Sequence, residues 1–209
     1  MKNINSLQGE GEGLRNIAVF ASGAGSNAQK IIDHFKNHPR ITVALIVCNK
    51  LKAGVLNIAE KECIPTITIE KNNFEETGYV DKLLEFNIEF IVLAGFLWKI
   101  PPVLIKRYPD HIINIHPALL PSYGGRGMYG NAVHKAVIDG KEMESGITIH
   151  YVDEIYDNGK IIFQAKCPVE QDETPESLAG KIHVLEHRYY SKEIEKILEE
   201  KNNHVNRVK

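Results

Sequence analysis

Asn114 and His116 stand one residue apart in Asn114-Ile115-His116-Pro117-Ala118-Leu119-Leu120-Pro121. An amide donates and accepts hydrogen bonds, and an imidazole can also move a proton near neutral pH. Ile112-Ile113 just upstream reads as the end of a buried strand. Side chains alternate across a strand, so Asn114 and His116 share one face while Ile113 and Ile115 take the other. Pro117 lacks the N–H needed to continue a ladder, so the strand is expected to stop there. The carboxyl end of a strand in an open α/β sheet is where ligands bind. A histidine before a proline at a strand end is also an ordinary structural device, so the pair takes its meaning from the rest of the chain.

A second polar group comes early. The apolar run Asn16-Ile17-Ala18-Val19-Phe20-Ala21 passes into Ser22-Gly23-Ala24-Gly25-Ser26-Asn27, and a helical pattern with Ile31, Ile32 and Phe35 on one side follows. Strand, glycine-rich turn and helix start make a place for a phosphate: glycines let backbone approach the anion and the helix N-terminus offers free N–H groups. Ser26 or Asn27 can cap the helix or donate to the anion. The loop is neither a Walker motif nor the full GxGxxG fingerprint. A tight strand-to-helix turn with a polar cap is the plainer reading.

The elements that must position these groups alternate. Strands are expected over Ile41–Cys48, Pro65–Ile69 and Phe90–Ala94, with helices over about 53–62, 74–86 and 102–108 between them. Continuous apolar strands alternating with helices predict an α/β fold: a doubly wound, mostly parallel sheet with a Rossmann-like N-terminal half, in one domain. Residues 1–15 lack periodicity and read as a disordered lead-in, 16–201 as the domain, and 202–209 as a flexible tail. Ser122 to Asn131 holds four glycines and Arg126 and reads as a mobile loop beside the central site, either a plain loop or a lid. A helix over about 132–138 and strands over 146–152 and 160–167 follow, the first strand placing Thr148 and His150 on one face. Asp157-Asn158-Gly159 between them is the sequence of a turn. From Thr174 and Pro175 a long helix is expected to run to about Lys201.

Composition narrows the class. The chain has 209 residues, enough to bury a core without disulfides or metals. A net charge of −2 gives no reason to expect nucleic acid or an anionic membrane as partner. Cys48, Cys63 and Cys167 form no CxxC pair or Cys/His cluster and read as reduced, mostly buried thiols, and no metal site is expected. There is no membrane-length apolar stretch and no signal-peptide pattern, so the expected location is cytoplasmic.

Asn114-Ile115-His116-Pro117, Leu119-Leu120-Pro121, His150 and Asp157 ahead of Gly159 together resemble the formyltransferases that use 10-formyltetrahydrofolate. Ser22 to Asn27 is similar to the loop of the branch acting on glycinamide ribonucleotide in purine synthesis. The resemblance runs from about Asn16 to Ile197. It implies Asn114, His116 and Asp157 as the catalytic group. It also implies Gly25, Ser26 and Asn27 on the ribose phosphate, Glu186 on the same nucleotide, and Leu97, Trp98, Lys99 and Ile100 along the folate site. Two departures stand out: Lys71-Asn72-Asn73 where many bacterial relatives carry an arginine, and Leu97-Trp98 where others have Met-Arg.

The residue types suit that chemistry on their own terms. An amine attacking a formyl carbon builds a tetrahedral centre whose oxyanion needs donors already in place, which the Asn114 amide and a protonated His116 supply. A carboxylate at Asp157 can orient the imidazole and help relay the amine's proton to the leaving nitrogen. His150 either supports this network and the substrate or is simply a core histidine. The expected partners are small molecules, glycinamide ribonucleotide and the folate donor, with the chain a monomer or homodimer. The alternative is a formyltetrahydrofolate hydrolase, using the same core with water as nucleophile.

Overall fold

The computed structural model describes residues 14–205. Seven strands form one sheet: β1 (Arg15–Ala21), β2 (Ile41–Cys48), β3 (Thr66–Thr68), β4 (Ile88–Leu93), β5 (Ile112–His116), β6 (Glu144–Tyr151) and β7 (Ile161–Pro168). Their spatial order is β3-β2-β1-β4-β5-β6-β7. The pairs β2–β3, β1–β2, β1–β4 and β4–β5 are parallel. The pairs β5–β6 and β6–β7 are antiparallel. The mostly parallel, doubly wound sheet expected from the sequence is the one observed.

Alternation along β1 divides the core. Ile17, Val19 and Ala21 join one buried cluster, Ala18 and Phe20 the other. The first face is covered by α1 (Ser26–Phe35), α2 (Gly54–Lys61), α6 (Asn131–Asp139) and α7 (Pro175–Val205), through residues such as Ile31, Val55, Val137 and Ile182. The second is covered by α3 (Lys71–Thr77), α4 (Val80–Glu85) and α5 (Pro102–Arg107), through Phe74, Leu83 and Leu104. β1 and β4 lie side by side where the winding reverses, so their carboxyl ends border the crevice in which such sheets bind ligands.

Several boundaries differ from expectation. The single helix expected over 74–86 is two. Gly78 closes α3 in the left-handed region at φ 59, and Tyr79 follows at φ 53. Two such residues in a row end an α-helix, since that conformation is not helical for L-residues. β1 begins at Arg15, whose N–H bonds Arg40 O at 2.7 Å, so the lead-in is one residue shorter than expected. α7 runs on to Val205, past the expected end near Lys201 and into the span read as a tail. The rest of the lead-in, 1–13, and residues 206–209 lie outside the described residues. Of the cysteines, only Cys48 is buried; Cys63 is exposed and Cys167 half-buried, so "mostly buried" does not hold. No helix among the described residues is long and apolar enough to cross a membrane.

Candidate active site

β5 stops at His116, one residue before the proline, and delivers Asn114 and His116 to the carboxyl edge of the sheet. Across the antiparallel pair with β6, Asn114 faces His150 and His116 faces Thr148. Thr148 is fully buried. Its Oγ1 donates to Ala118 O at 2.7 Å and accepts from Leu120 N at 2.9 Å and Gln164 Nε2 at 2.8 Å. It thereby fixes the turn that carries the chain away from His116.

The hydrogen bonds orient both histidines and fix the tautomer of His150. His150 Nδ1 lies 2.8 Å from Tyr151 O. A carbonyl only accepts, so Nδ1 carries the proton and Nε2 is free to accept from Asn114 Nδ2 at 3.1 Å. Burial holds the His150 pKa below its ordinary value, which keeps that neutral form, although Asp157 pulls the other way. Asn114 therefore has one N–H committed to His150 and a second left for a ligand. His116 Nε2 lies 2.8 Å from Tyr123 O and so donates to it. Its Nδ1 is 3.5 Å from Asp157 Oδ2. The imidazole thus lies between a carbonyl on one side and a carboxylate on the other.

Asp157 arrives from the loop between β6 and β7. It holds the left-handed conformation at φ 54, which aspartate tolerates better than most residues. Oδ2 accepts the Gly125 N–H at 2.9 Å, and Oδ1 lies 3.7 Å from His150 Nε2. Gly159 is needed because a Cβ there would sit 1.8 Å from Tyr151 O. The glycine-rich Ser122–Asn131 segment is thus tied to the site twice, through Tyr123 O and Gly125 N.

On the far side of β4, Gly25 caps α1 in the left-handed conformation at φ 85, with no side-chain cap. Ser26 and Asn27 do not cap the helix as the sequence allowed. Asn27 Nδ2 instead donates to Glu186 Oε2 on α7 at 2.9 Å. Glu186 is buried, and burial raises its pKa against the opposing pull of Asn27 and His183. Gly25 has a packing reason as well: a Cβ would meet Val55 of α2 at 2.9 Å. Ser22, buried at the end of β1, accepts the Leu97 N–H at 3.0 Å, while its own N–H donates to Gly95 O at 3.1 Å. The two loops on either side of the crevice are therefore joined.

The glycine turn and the polar groups at the end of β5 line one cavity of about 780 Å³, within the size range of small-molecule sites. Every residue singled out from sequence lies on its wall: Asn114, His116, Asp157 and His150; Gly25, Ser26, Asn27 and Glu186; and Leu97 to Ile100. The sequence reading missed Ser22 as the tether, and it missed His134 and His183 on the wall. His183 precedes Glu186 by three residues on α7, a helical spacing that could have marked it. His134 is buried on α6 with Nδ1 unpaired, and nothing in its local pattern sets it apart.

Among the described residues, one group has ligand-like spacing for a metal: His38, Glu195 and Glu199. None of the three lines the cavity. His38 Nδ1 accepts N–H groups from Arg40 and Ile41 at 3.2 and 3.0 Å. That places the proton of the neutral ring on Nε2, the atom 3.3 Å from Glu195, so the nitrogen facing the carboxylates is not a free ligand.

The formyl transferase sequence profile matches residues 15–194, taking in every part of this cavity. The chain is 42% identical over 195 residues to a chloroplastic phosphoribosylglycinamide formyltransferase of Vigna unguiculata, covering 90% of this chain and 62% of that protein. The match thus spans less than two thirds of that relative's length. It is 37% identical to phosphoribosylglycinamide formyltransferase of Bacillus subtilis, over 88% of this chain and 95% of that one. The crystal structure of the Bacillus halodurans phosphoribosylglycinamide formyltransferase superposes with a TM-score of 0.80 at 36% identity, covering 88% and 95% of the two chains. A shared profile across nearly the whole domain, a shared fold and the polar groups at the sheet edge agree: the chain belongs to the formyl transferase family.

Proposed function

We propose that this chain transfers the formyl group of 10-formyltetrahydrofolate to the amine of 5-phosphoribosylglycinamide, a step of purine synthesis. One observation carries the reading. A single cavity joins the glycine turn at the start of α1 to Asn114, His116 and Asp157 at the same sheet edge. A phosphate held at Gly25, Ser26 and Asn27 anchors the nucleotide, and Glu186 takes its ribose hydroxyls. The apolar walls Leu93, Ile100 and Val152 suit a flat pterin ring, with Leu97, Trp98 and Lys99 beside them.

The neutral amine attacks the formyl carbon, forming the new C–N bond and a tetrahedral oxyanion. The uncommitted N–H of Asn114 and the protonated His116 donate to that oxygen. In this structure His116 Nε2 is held by Tyr123 O, so the contact with that carbonyl yields when the oxyanion develops. Asp157, 3.5 Å from the other ring nitrogen, orients the imidazole and stabilises it as a cation while the oxyanion exists. The proton lost by the amine reaches the folate nitrogen as the old C–N bond breaks. Nothing at the site favours the hydrolase alternative, which leaves the phosphate side of the cavity without a role.

The test is product identity. With both substrates present, tetrahydrofolate and formylated nucleotide should appear in equal amounts by absorbance and mass spectrometry. Absence of the formylated nucleotide contradicts the assignment.

A further inference from the structure

Four histidines line the main cavity: His116, His134, His150 and His183. His116 is engaged by Tyr123 O and Asp157, and His150 by Tyr151 O and Asn114. His134, which α6 carries onto the wall, is 4% exposed and has no such partner among the described residues. Its Nδ1 is sealed from solvent and unpaired, so a molecule in the cavity meets the ring at Nε2. A buried polar nitrogen without a hydrogen bond is unfavourable, and most such groups in proteins have a partner. Val133 and Val137, also buried on α6, show that apolar side chains fill this layer. An imidazole beside them calls for a partner from the cavity.

Its surroundings say which part of a bound nucleotide it meets. The groups acting on it electrostatically are His183 of α7 and His116 of β5. With burial they hold its pKa below the ordinary 6.5, so the ring is neutral at pH 7. His116 marks the reacting end of the site. His183 precedes Glu186 by one helical turn, and Glu186 is bonded to Asn27 of the glycine turn, so His183 marks the nucleotide end. His134 stands between the two. In glycinamide ribonucleotide, the group between the ribose and the reacting amine is an amide. A neutral imidazole carries one N–H. With Nδ1 sealed and unpaired, that N–H is best satisfied on Nε2, where a carbonyl oxygen can accept it.

We propose that His134 donates from Nε2 to the carbonyl oxygen of the acceptor's amide, and so fixes the aminomethyl group for attack on the formyl carbon. The inference rests on the function proposed above. Contacts to phosphate and ribose hold only the far end of the nucleotide. The single bonds between ribose and amine stay free to turn, and a contact at the amide removes much of that freedom. The same contact favours acceptors that carry a carbonyl at this position.

The experiment uses His134→Leu, which removes the donor, and His134→Gln, which keeps an N–H donor in its place. Dissociation constants are measured for glycinamide ribonucleotide and for ribose 5-phosphate, which has no amide, beside steady-state formyl transfer. In His134→Leu the affinity for glycinamide ribonucleotide should fall about five- to tenfold, as for one neutral hydrogen bond, and kcat should fall with it. Ribose 5-phosphate should bind as in wild type, and His134→Gln should recover much of both losses. Equal losses for the two ligands would make His134 a packing residue, and no loss for either would leave it without a substrate contact; both results overturn the inference. A reading on the wild type does not depend on how the variants fold. The ring-nitrogen NMR signals of His134 should shift on adding glycinamide ribonucleotide and not on adding ribose 5-phosphate. A shift with both, or with neither, overturns the contact. Formyl transfer to the nucleotide by the wild type upholds the proposed function whichever way these comparisons fall; its absence sinks both.

Discussion

Replacing Asp157 with Asn separates a catalytic carboxylate from a turn residue. The left-handed backbone at φ 54 is as accessible to Asn as to Asp, and the amide oxygen can still accept the Gly125 N–H now bonded at 2.9 Å. Folding is therefore expected to survive. What disappears is a negative charge 3.5 Å from His116 Nδ1, with only 11% of the Asp157 side chain exposed. At that separation and an effective dielectric near 20, the attraction between the carboxylate and a protonated imidazole is about 5 kcal/mol, an upper limit. General acid–base groups are worth roughly 10²- to 10⁴-fold in rate. We expect kcat to fall about 10²- to 10³-fold, with Tm and the nucleotide KM near their wild-type values. The assay is steady-state formyl transfer with both substrates saturating, beside a thermal melt. A kcat within a few-fold of wild type at unchanged Tm would show that the charge has no part in the chemistry.

Thr148→Val leaves the buried Leu120 N–H and Ala118 carbonyl without their partner. It should lower Tm by roughly 5–15 °C, and an unchanged melt would mean the turn after His116 does not depend on it. Burial and the nearby His183 and His116 hold the His134 pKa below its ordinary 6.5. The folded state then binds fewer protons than the unfolded one as pH falls below about 6.5, so stability is lost on acidification. In His134→Leu the decline of Tm from about pH 7.5 to 5.5 should be shallower than in wild type; parallel declines refute this. Gly23→Ala and Gly25→Ala should differ. A Cβ at Gly23 meets nothing, so that variant should melt normally while binding the nucleotide less well, whereas Gly25 is left-handed and pressed against Val55. Equal melting temperatures for the two would remove the packing argument for Gly25.

What was legible in the sequence was local. A period of two followed by Pro117 located the end of β5 and put Asn114 and His116 at one edge. A strand, glycines and an amphipathic helix located the turn into α1. The order of strands and helices gave the sheet its class. What was not legible depends on residues distant in the chain. Asn27 reads as a cap until Glu186, 159 positions away, accepts its amide. Ser22 reads as part of the phosphate turn until Leu97, 75 positions on, bonds its hydroxyl. Thr148 shows in sequence only as a strand residue, and its three hydrogen bonds arise from the way β5, β6 and β7 pair. The break in the helix expected over 74–86 comes from Gly78 and Tyr79, both left-handed, and Tyr79 carries no local signal for that conformation.

The central claim is that one crevice anchors a phosphate and presents the attached amine to a formyl group held at β5. Such anchoring makes the reaction nearly intramolecular, a gain of up to roughly 7–11 kcal/mol in well-oriented cases. The most direct measurement is a competition between glycinamide ribonucleotide and free glycinamide for formyl transfer, with a control lacking any acceptor. The account predicts that the nucleotide is used at least about 10⁴-fold more efficiently, on the low side of that gain, and that tetrahydrofolate release without acceptor is slow by comparison. Comparable use of free glycinamide, or rapid release into water, would contradict it.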